Sequence, residues 1–190
     1  LRYPIYSHFE GTGICLTFDN YCGTEPITIE KTTVYVDGKF YPVTFGHQSS
    51  VTIPAGEHAI SDGLKCCVKA QSTFDVSFYL KDYTQMRSVV FTCGPLSYGS
   101  YAIGDWTEEV HLPIDVSRTT HYFYFLSNVS VYTSSKNRTV VCYGDSITAQ
   151  DWPDYLKLRC QKEGYDHTAI IRRATSGSRI LREYNCITYE

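Results

Sequence analysis

The chain changes character at residues 139–148, TVVCYGDSIT, where an almost continuous apolar run meets a glycine and a serine. The apolar residues 139–143 are typical of a strand that is buried on both faces, as strands of parallel sheets are. The residues that follow, 144–149, predict a turn. The stretch therefore predicts the first strand of an α/β unit.

Residues downstream of this turn predict a helix and a second strand. Four side chains fall at spacings of three and four, the pattern of one helix face: Trp152, Tyr155, Leu156 and Cys160. Pro153 suits the first turn of this helix, Gly164 ends it, and residues 167–171 supply a second apolar strand. The order strand, turn, helix, strand is one βαβ unit, which implies a parallel sheet.

Residues 1–135 have a different sequence pattern, with short β-branched and aromatic runs, frequent turn residues and no helical period. The predicted strands are 14–18, 32–36, 41–45, 49–53, 73–80, 88–92 and 121–132. Asp37-Gly38 predicts a two-residue hairpin. Because no helix covers these strands, we expect two sheets packed face to face, a β-sandwich of jelly-roll type. The predicted domains are therefore a β-sandwich over 1–135 and an α/β portion over 136–190.

Composition argues against several classes of partner. The net charge of −3 and the pI near 6.1 provide no basic field, so we expect no nucleic acid. No apolar run approaches the roughly 20 residues that a membrane helix needs, so we expect no membrane. No signal-peptide layout is visible, which slightly favours the cytoplasm. The chain starts at Leu1, within a segment that resembles a strand, so an earlier natural start is an open alternative.

Eight cysteines are many for a chain of 190 residues. They are Cys15, Cys22, Cys66, Cys67, Cys93, Cys142, Cys160 and Cys186. None forms a CxxC pair, so we expect no metal site. Two interpretations stay open for them: small buried thiols, which we prefer, or the disulfides of a secreted protein.

Ser146 is the candidate nucleophile. It follows the predicted buried strand, at the carboxyl edge of the sheet, where α/β proteins bind ligands. Gly144 lets the chain turn sharply, and the N-terminus of the predicted helix would offer N–H groups and a partial positive charge to an oxyanion. The alternative is that Asp145, Ser146 and Thr148 only cap that helix. The local residues leave both readings open.

The stretch around Ser146 closely resembles block I of the GDSL or SGNH hydrolase family, in which the serine of Gly-Asp-Ser is the nucleophile. Residues 174–179, ATSGSR, resemble block II of the same family, although many members have glycine in place of Ala174. The resemblance implies that the backbone N–H groups of Ser146 and Gly177 form the oxyanion hole, with Gly144 and Asp145 as supporting motif residues. It implies neither a metal nor an organic cofactor.

The upstream half resembles the β-sandwich domain that precedes the hydrolase in one subgroup of this family, acylhydrolases similar to the xylanase-associated esterase of rumen bacteria. The matching stretches are LTFDNYCGTEPITI at 16–29, VTFG at 43–46 and SVTIPAG at 50–56. The resemblance implies a three-layer α/β/α hydrolase domain after the sandwich. It also implies hydrolysis of carboxylic esters, with a short acyl group on carbohydrate as the expected substrate.

Two blocks of the family pattern are not found in the 190 residues. A third block would donate an asparagine side chain to the oxyanion, and a late Asp-x-x-His would supply the base and its carboxylate. His167 follows Asp166 directly at the start of a strand, so we interpret it as structural. We expect the chain alone to be nearly inert. The expected partner is the C-terminal part of the hydrolase domain, in a longer protein or as a separate chain, packed against Val140 and Ile170.

A second function stays open on the sequence, a carbohydrate-binding β-sandwich module with an inactive hydrolase remnant. Its candidate residues are Tyr98, Tyr101 and Trp106, which cluster in the glycine-rich stretch 94–106. Aromatic rings of this kind stack on sugars, yet tyrosines in β-rich chains also serve as core residues. The cluster would equally suit the wall of an esterase cleft. A third reading is a scaffold that neither binds glycan nor reacts.

Overall fold

A computed structural model describes residues 1–179, and β-strand dominates its secondary structure. The strands of residues 1–135 are β1 (Arg2–Ser7), β2 (Gly11–Asp19), β3 (Ile27–Ile29), β4 (Lys31–Val36), β5 (Lys39–Pro42), β6 (Val51–Ile53), β7 (His58–Ile60), β8 (Leu64–Val68), β9 (Ser72–Tyr79), β10 (Val89–Phe91), β11 (Gly99–Tyr101), β12 (Arg118–Thr120), β13 (Tyr122–Tyr124) and β14 (Leu126–Val131). The later elements are β15 (Arg138–Gly144), α1 (Trp152–Lys162) and β16 (Thr168–Ala174). The described part of the chain holds no helix with the length and apolarity needed to cross a bilayer.

Two antiparallel sheets share the main core. The larger has six strands in the order β12-β11-β1-β9-β4-β5, and the smaller has the order β14-β2-β7, with β8 also paired to β2. Phe18 of β2 and Phe78 of β9 are both buried, and their ring centroids lie 5.1 Å apart. The apolar positions that alternate along each strand therefore meet between the sheets, where burial of apolar surface stabilises the fold.

The hairpin predicted at Asp37-Gly38 is confirmed. Val36 and Lys39 are register partners in antiparallel β4 and β5, so two residues form the loop. Asp37 has φ 50° and Gly38 has φ 80°, as the mirror-image turn of a two-residue hairpin requires. Strand β5 ends at Pro42, so the prediction of a strand through residue 45 was too long.

The prediction of one strand over 121–132 was wrong. The segment forms β13, which pairs with β10, and β14, which pairs with β2. Phe125 separates them at φ 60°, with its side chain buried in the core. Its N–H donates to the Ser88 carbonyl at 3.0 Å, and its carbonyl accepts the Asp19 N–H at 2.8 Å. Burial of the ring and these two long-range hydrogen bonds hold a conformation that the local residues do not favour.

The later elements form a parallel strand pair connected by a helix. Strands β15 and β16 pair from Arg138↔Thr168 to Gly144↔Ala174, as the predicted parallel pairing requires. Helix α1 ends where expected, because the N–H of Gly164 bonds the Gln161 carbonyl and that of Tyr165 bonds the Cys160 carbonyl, a Schellman motif. The βαβ order thus places residues 145–151 after one strand and residues 175–179 after the other.

The burial expected for these elements was wrong in two places. Strand β15 is not buried on both faces, since Val141 is 50% exposed and Tyr143 is 78% exposed. Its one neighbour among the described residues is β16, so nothing there covers its far edge. Trp152 and Tyr155 of α1 are also exposed, and the helix buries Pro153 and Asp154 instead. The predicted apolar face of the helix is thus exposed at Trp152 and Tyr155, while Leu156 and Cys160 are half-buried.

The preference for buried thiols is corrected at one cysteine. Cys22 is disulfide-bonded. Of the free cysteines, Cys66 and Cys142 are buried whereas Cys67 is exposed, so burial describes only some of the set. Cys186 lies outside the described residues.

Candidate active site

Ser146 lies in the turn that follows β15, and its side chain is exposed. Neither its hydroxyl nor its backbone N–H hydrogen-bonds another described residue. The preceding residue shapes the turn: the Asp145 carboxylate accepts the Ile147 N–H at 3.0 Å, and the Asp145 carbonyl accepts the Ala149 N–H at 3.0 Å. Asp145 therefore closes the turn through its own hydrogen bonds, and Ser146 Oγ remains available to contact a ligand.

The side chain of Thr148 lies so close to the backbone of residue 144 that this position requires glycine. A Cβ at this position would lie 2.3 Å from Thr148 Oγ1 and 2.9 Å from its Cβ, which no side chain tolerates without movement. The Gly144 carbonyl accepts the Thr175 N–H at 3.1 Å and the Ser178 hydroxyl at 3.2 Å. One carbonyl beside the candidate nucleophile thus anchors the second turn.

Gly177 lies in that second turn, after β16, with φ 80°. The turn is closed by the Ser178 N–H, which donates to the Thr175 carbonyl at 3.1 Å. The N–H of Gly177 bonds none of the described residues. Because β15 and β16 are parallel and end together at the pair Gly144↔Ala174, the two turns leave the same edge of the sheet. They bring two unpaired N–H groups, of Ser146 and Gly177, to neighbouring turns.

Helix α1 starts where the sequence predicts it, after the turn over 144–149 and with Pro153 in its first turn. Helix α1 begins at Trp152, with Asp151 as its N-cap, so residues 147–151 intervene. The same separation removes the reading of Ser146 as the cap of α1. Any oxyanion donors here are the free N–H groups of the two turns.

No histidine within residues 1–179 hydrogen-bonds Ser146. His167 lies before β16, at the amino edge of the strand pair, where its Nδ1 meets Asn137 Oδ1 at 2.7 Å. Seven-residue strands separate that edge from Ser146, a span of about 20 Å. His121 Nδ1 pairs with the Ser97 carbonyl in a loop. A general base for Ser146 is thus not provided by these histidines.

Asp154 carries the tightest polar cluster in this part of the molecule, and the sequence reasoning missed it. Its side chain is 0% exposed, accepts the Leu96 N–H at 2.9 Å and lies 3.1 Å from the Arg172 guanidinium. Lys157 Nζ lies 3.4 Å from the same carboxylate oxygen. Burial lowers the pKa values of both Lys157 and Arg172. Two features of the sequence could have indicated this cluster: an acidic residue, Asp154, directly after Pro153, and an arginine, Arg172, within an apolar strand.

This cluster connects helix α1, strand β16 and the loop after β10. The loop approaches so closely that a Cβ on Gly94 would lie 2.4 Å from Asp154 Oδ2. Strand β16 carries Arg172 and leads directly into the turn with Gly177, while α1 follows the turn with Ser146. The cluster therefore fixes the elements that hold both candidate turns.

The three residues of the predicted aromatic cluster lie before, on and after β11. No ring contact joins Tyr98, Tyr101 and Trp106 within the described range of 1–179. Trp106 donates its indole N–H to the Ile103 carbonyl at 2.8 Å and gives its own carbonyl to Arg2, so it serves to pack its loop. Tyr101 and Tyr98 are exposed on and beside β11. The sugar-binding interpretation of these three residues therefore stays a prediction.

Comparison with known proteins adds no relative: no family model matches the chain, and no curated protein matches it either. Ser146, Gly144 and Gly177 are the residues of this chain that carry the candidate chemistry, in two turns at one edge of the strand pair. Among the described residues no group of three or more histidine, cysteine, aspartate or glutamate side chains is placed to hold a metal ion.

Proposed function

We propose that this chain carries the nucleophile of a GDSL-type serine esterase. The observation that supports the proposal most is the pair of turns at one edge of parallel strands, where Ser146 Oγ and the N–H groups of Ser146 and Gly177 are unpaired. The Gly144 carbonyl ties the two turns together through two hydrogen bonds. An exposed hydroxyl beside free backbone donors is what acyl transfer requires.

In this proposal the chain has two parts. The antiparallel sheets of residues 1–135 are an accessory domain of jelly-roll type, and β15-α1-β16 is the first βαβ portion of a three-layer α/β/α hydrolase domain. Support comes from the change from antiparallel to parallel pairing after β14. It also comes from the resemblance of residues 139–148 and 174–179 to two blocks of the family.

The proposed reaction has two steps. Ser146 Oγ attacks the acyl carbon and gives its proton to a base, and the N–H groups of Ser146 and Gly177 stabilise the oxyanion. The C–O bond to the alcohol breaks, and the alcohol leaves with that proton. Water then attacks the acyl carbon and gives a proton to the base. The bond between the acyl carbon and Ser146 Oγ breaks, Ser146 Oγ takes that proton from the base, and the carboxylic acid leaves.

The base and the asparagine donor come, in our proposal, from polypeptide beyond these 190 residues, in the same protein or in a separate chain. Support comes from the exposed apolar side chains around the site, which include Val141, Tyr143, Ile147 and Trp152. Apolar surface of this kind is a docking surface for protein. Without a base the serine retains only the residual rate of the oxyanion hole and binding, so the chain alone is nearly inert.

The proposed substrate is an ester of a short acyl group, carried on carbohydrate. Support for the carbohydrate comes from the resemblance of residues 16–29, 43–46 and 50–56 to acylhydrolases similar to the xylanase-associated esterase of rumen bacteria. Support for a short acyl group comes from the same resemblance. The alternative of a glycan-binding module with an inactive remnant predicts no Ser146-dependent chemistry.

The test measures intact mass and p-nitrophenyl acetate turnover on one preparation of the natural protein. We expect polypeptide beyond the 21.6 kDa chain together with turnover that Ser146→Ala reduces at least about 1,000-fold. Ser176→Ala is the matched control, because it removes an exposed serine from the second turn and should retain turnover. Turnover that survives Ser146→Ala, or a lone inert 21.6 kDa species, would refute the proposal.

A further inference from the structure

A cleft of about 850 Å³ opens on the surface of the smaller antiparallel sheet, in a part of the chain that the esterase proposal does not use. It is lined by β2, the β4–β5 hairpin, β8 and the end of β14. Sites for small organic ligands have volumes of about 300–1,000 Å³. The cleft is therefore large enough for an oligosaccharide.

Tyr132 forms a fixed aromatic wall of this cleft. Its N–H donates to the Gly13 carbonyl and its carbonyl accepts the Thr12 N–H, both at 2.9 Å. Its ring reaches from Gly13, where a Cβ would meet Cδ2 at 3.0 Å, to Gly63, where a Cβ would meet the hydroxyl at 3.4 Å. The two glycines let the ring lie on the backbone, yet the side chain is 55% exposed. A ring held before the ligand arrives loses little entropy on binding.

The second tyrosine, Tyr41 of β5, is half-buried against the core and also lines the cleft. A tyrosine offers an apolar ring face together with a polar hydroxyl. A sugar offers the same combination, with C–H groups on its faces and hydroxyls at its edges. Two such rings in one cleft favour a sugar chain over a purely apolar ligand.

The charges of the cleft are predominantly positive. Lys39 and Lys65 line it, and Asp37 is the one carboxylate among its described lining residues. Asp37 is already paired, because Lys69 Nζ lies 2.8 Å from its Oδ1. The two lysines and one aspartate that line the cleft sum to +1 on a chain whose net charge is −3. This local field attracts an anionic ligand.

We propose that this cleft binds an oligosaccharide that carries carboxylates, that is, one built with uronic acid residues. Tyr132 and Tyr41 stack on the sugar faces, and Lys39 and Lys65 bind the carboxylates. The site is separate from Ser146, so its binding does not depend on esterase activity. Loss of one function would leave the other measurable.

The test uses isothermal titration of the full chain with oligogalacturonate and with its methyl-esterified form. The two probes share one sugar backbone and differ in whether each carboxyl group is a free carboxylate or a neutral methyl ester. The titration is done on Ser146→Ala so that no ester is cleaved. We expect at least tenfold tighter binding of the charged form. Tyr132→Ala should weaken binding at least tenfold, whereas Tyr132→Phe, which keeps the ring, should retain it.

Lys39→Gln combined with Lys65→Gln should reduce affinity for the charged probe to that for its methyl ester. Tyr21→Ala and Lys136→Gln are matched controls, because both residues are exposed and neither lines the cleft. Unchanged thermal unfolding shows that each variant is folded. Absence of binding at millimolar probe, equal affinity for the two probes, or Tyr132→Ala binding like its parent would overturn the proposal. Equally tight binding of single-stranded DNA would overturn the sugar class.

Discussion

Asp154→Asn should destabilise the protein strongly, because it leaves two buried cations without their anion. The carboxylate is 0% exposed and lies 3.1 Å from the Arg172 guanidinium and 3.4 Å from Lys157 Nζ. Asparagine keeps the volume and an acceptor for the Leu96 N–H, so the change isolates the charge.

The expected loss is about 3–5 kcal/mol, which is typical when one partner of a buried ion pair is removed. Both cations are largely shielded, with side chains 9% exposed for Arg172 and 17% exposed for Lys157, so solvent screening is weak. With an m-value of about 2 kcal/mol/M, the urea midpoint falls by about 2 M. This is a large part of the 5–15 kcal/mol that folded domains possess.

The assay is equilibrium urea unfolding followed by circular dichroism and tryptophan fluorescence. Asp82→Asn is the matched control, since Asp82 is exposed and its carboxylate has no partner among the described residues; its midpoint should not move. Arg172→Met in the Asp154→Asn background should recover part of the loss, because it removes one unpaired cation. A midpoint for Asp154→Asn within 0.5 M of the parent, which is about 1 kcal/mol, would refute this account of the cluster.

Three further outcomes are expected. Burial and nearby Lys157 lower the pKa of His8 to about 4. Because the unfolded imidazole titrates near pH 6.5, the free energy of unfolding from this residue is complete above about pH 6.5 and decreases as the pH drops toward 4. His8→Gln should flatten this dependence in urea titrations at stepped pH. Tyr3→Phe should cost about 1–3 kcal/mol in urea unfolding, because the buried hydroxyl bonds two backbone groups of β13 at 2.9 and 3.0 Å. Gly144→Ala should cost about 1–3 kcal/mol in thermal unfolding through the clash with Thr148, and Thr148→Ala should relieve part of it. Unchanged profiles in any of these variants would contradict the corresponding contact.

Local signals predicted the parts of the fold that local chemistry controls. The Asp37-Gly38 turn needs positive φ at two adjacent residues, and few residue pairs tolerate that, so the dipeptide is informative. Gly164 marked the end of α1 for the same kind of reason. The strand, turn, helix, strand order after residue 135 was likewise readable, because both strands are apolar runs flanked by turn residues.

Structural features that depend on contacts between residues far apart in sequence could not be predicted from local patterns. Phe125 breaks a run that looks like one long strand, because its backbone bonds Ser88 and Asp19 while its ring enters the core. Asp154 is buried through partners from a loop and a strand far along the chain. The short strands β3, β7 and β12 have three residues each, too few for any period to show.

The candidate site was predicted in part. Ser146 and Gly177 do fall in turns at one edge of a parallel pair, which the two sequence motifs indicated. The helix start was also predicted, since Pro153 lies in the first turn of α1, whereas the hydrogen bonds by which Asp145 closes the preceding turn were not. The cleft beside Tyr132 could not be predicted from the sequence, since its lining residues come from four separate regions of the chain.

The most direct measurement of the central claim is covalent labelling of the natural protein with a fluorophosphonate, followed by mass spectrometry of the peptides. This reagent modifies a serine only when a base and an oxyanion hole activate it. The account predicts label on Ser146, none after Ser146→Ala, and little on the isolated 190-residue chain. Label on a different serine, or an unlabelled Ser146 in a preparation that hydrolyses esters, would contradict it.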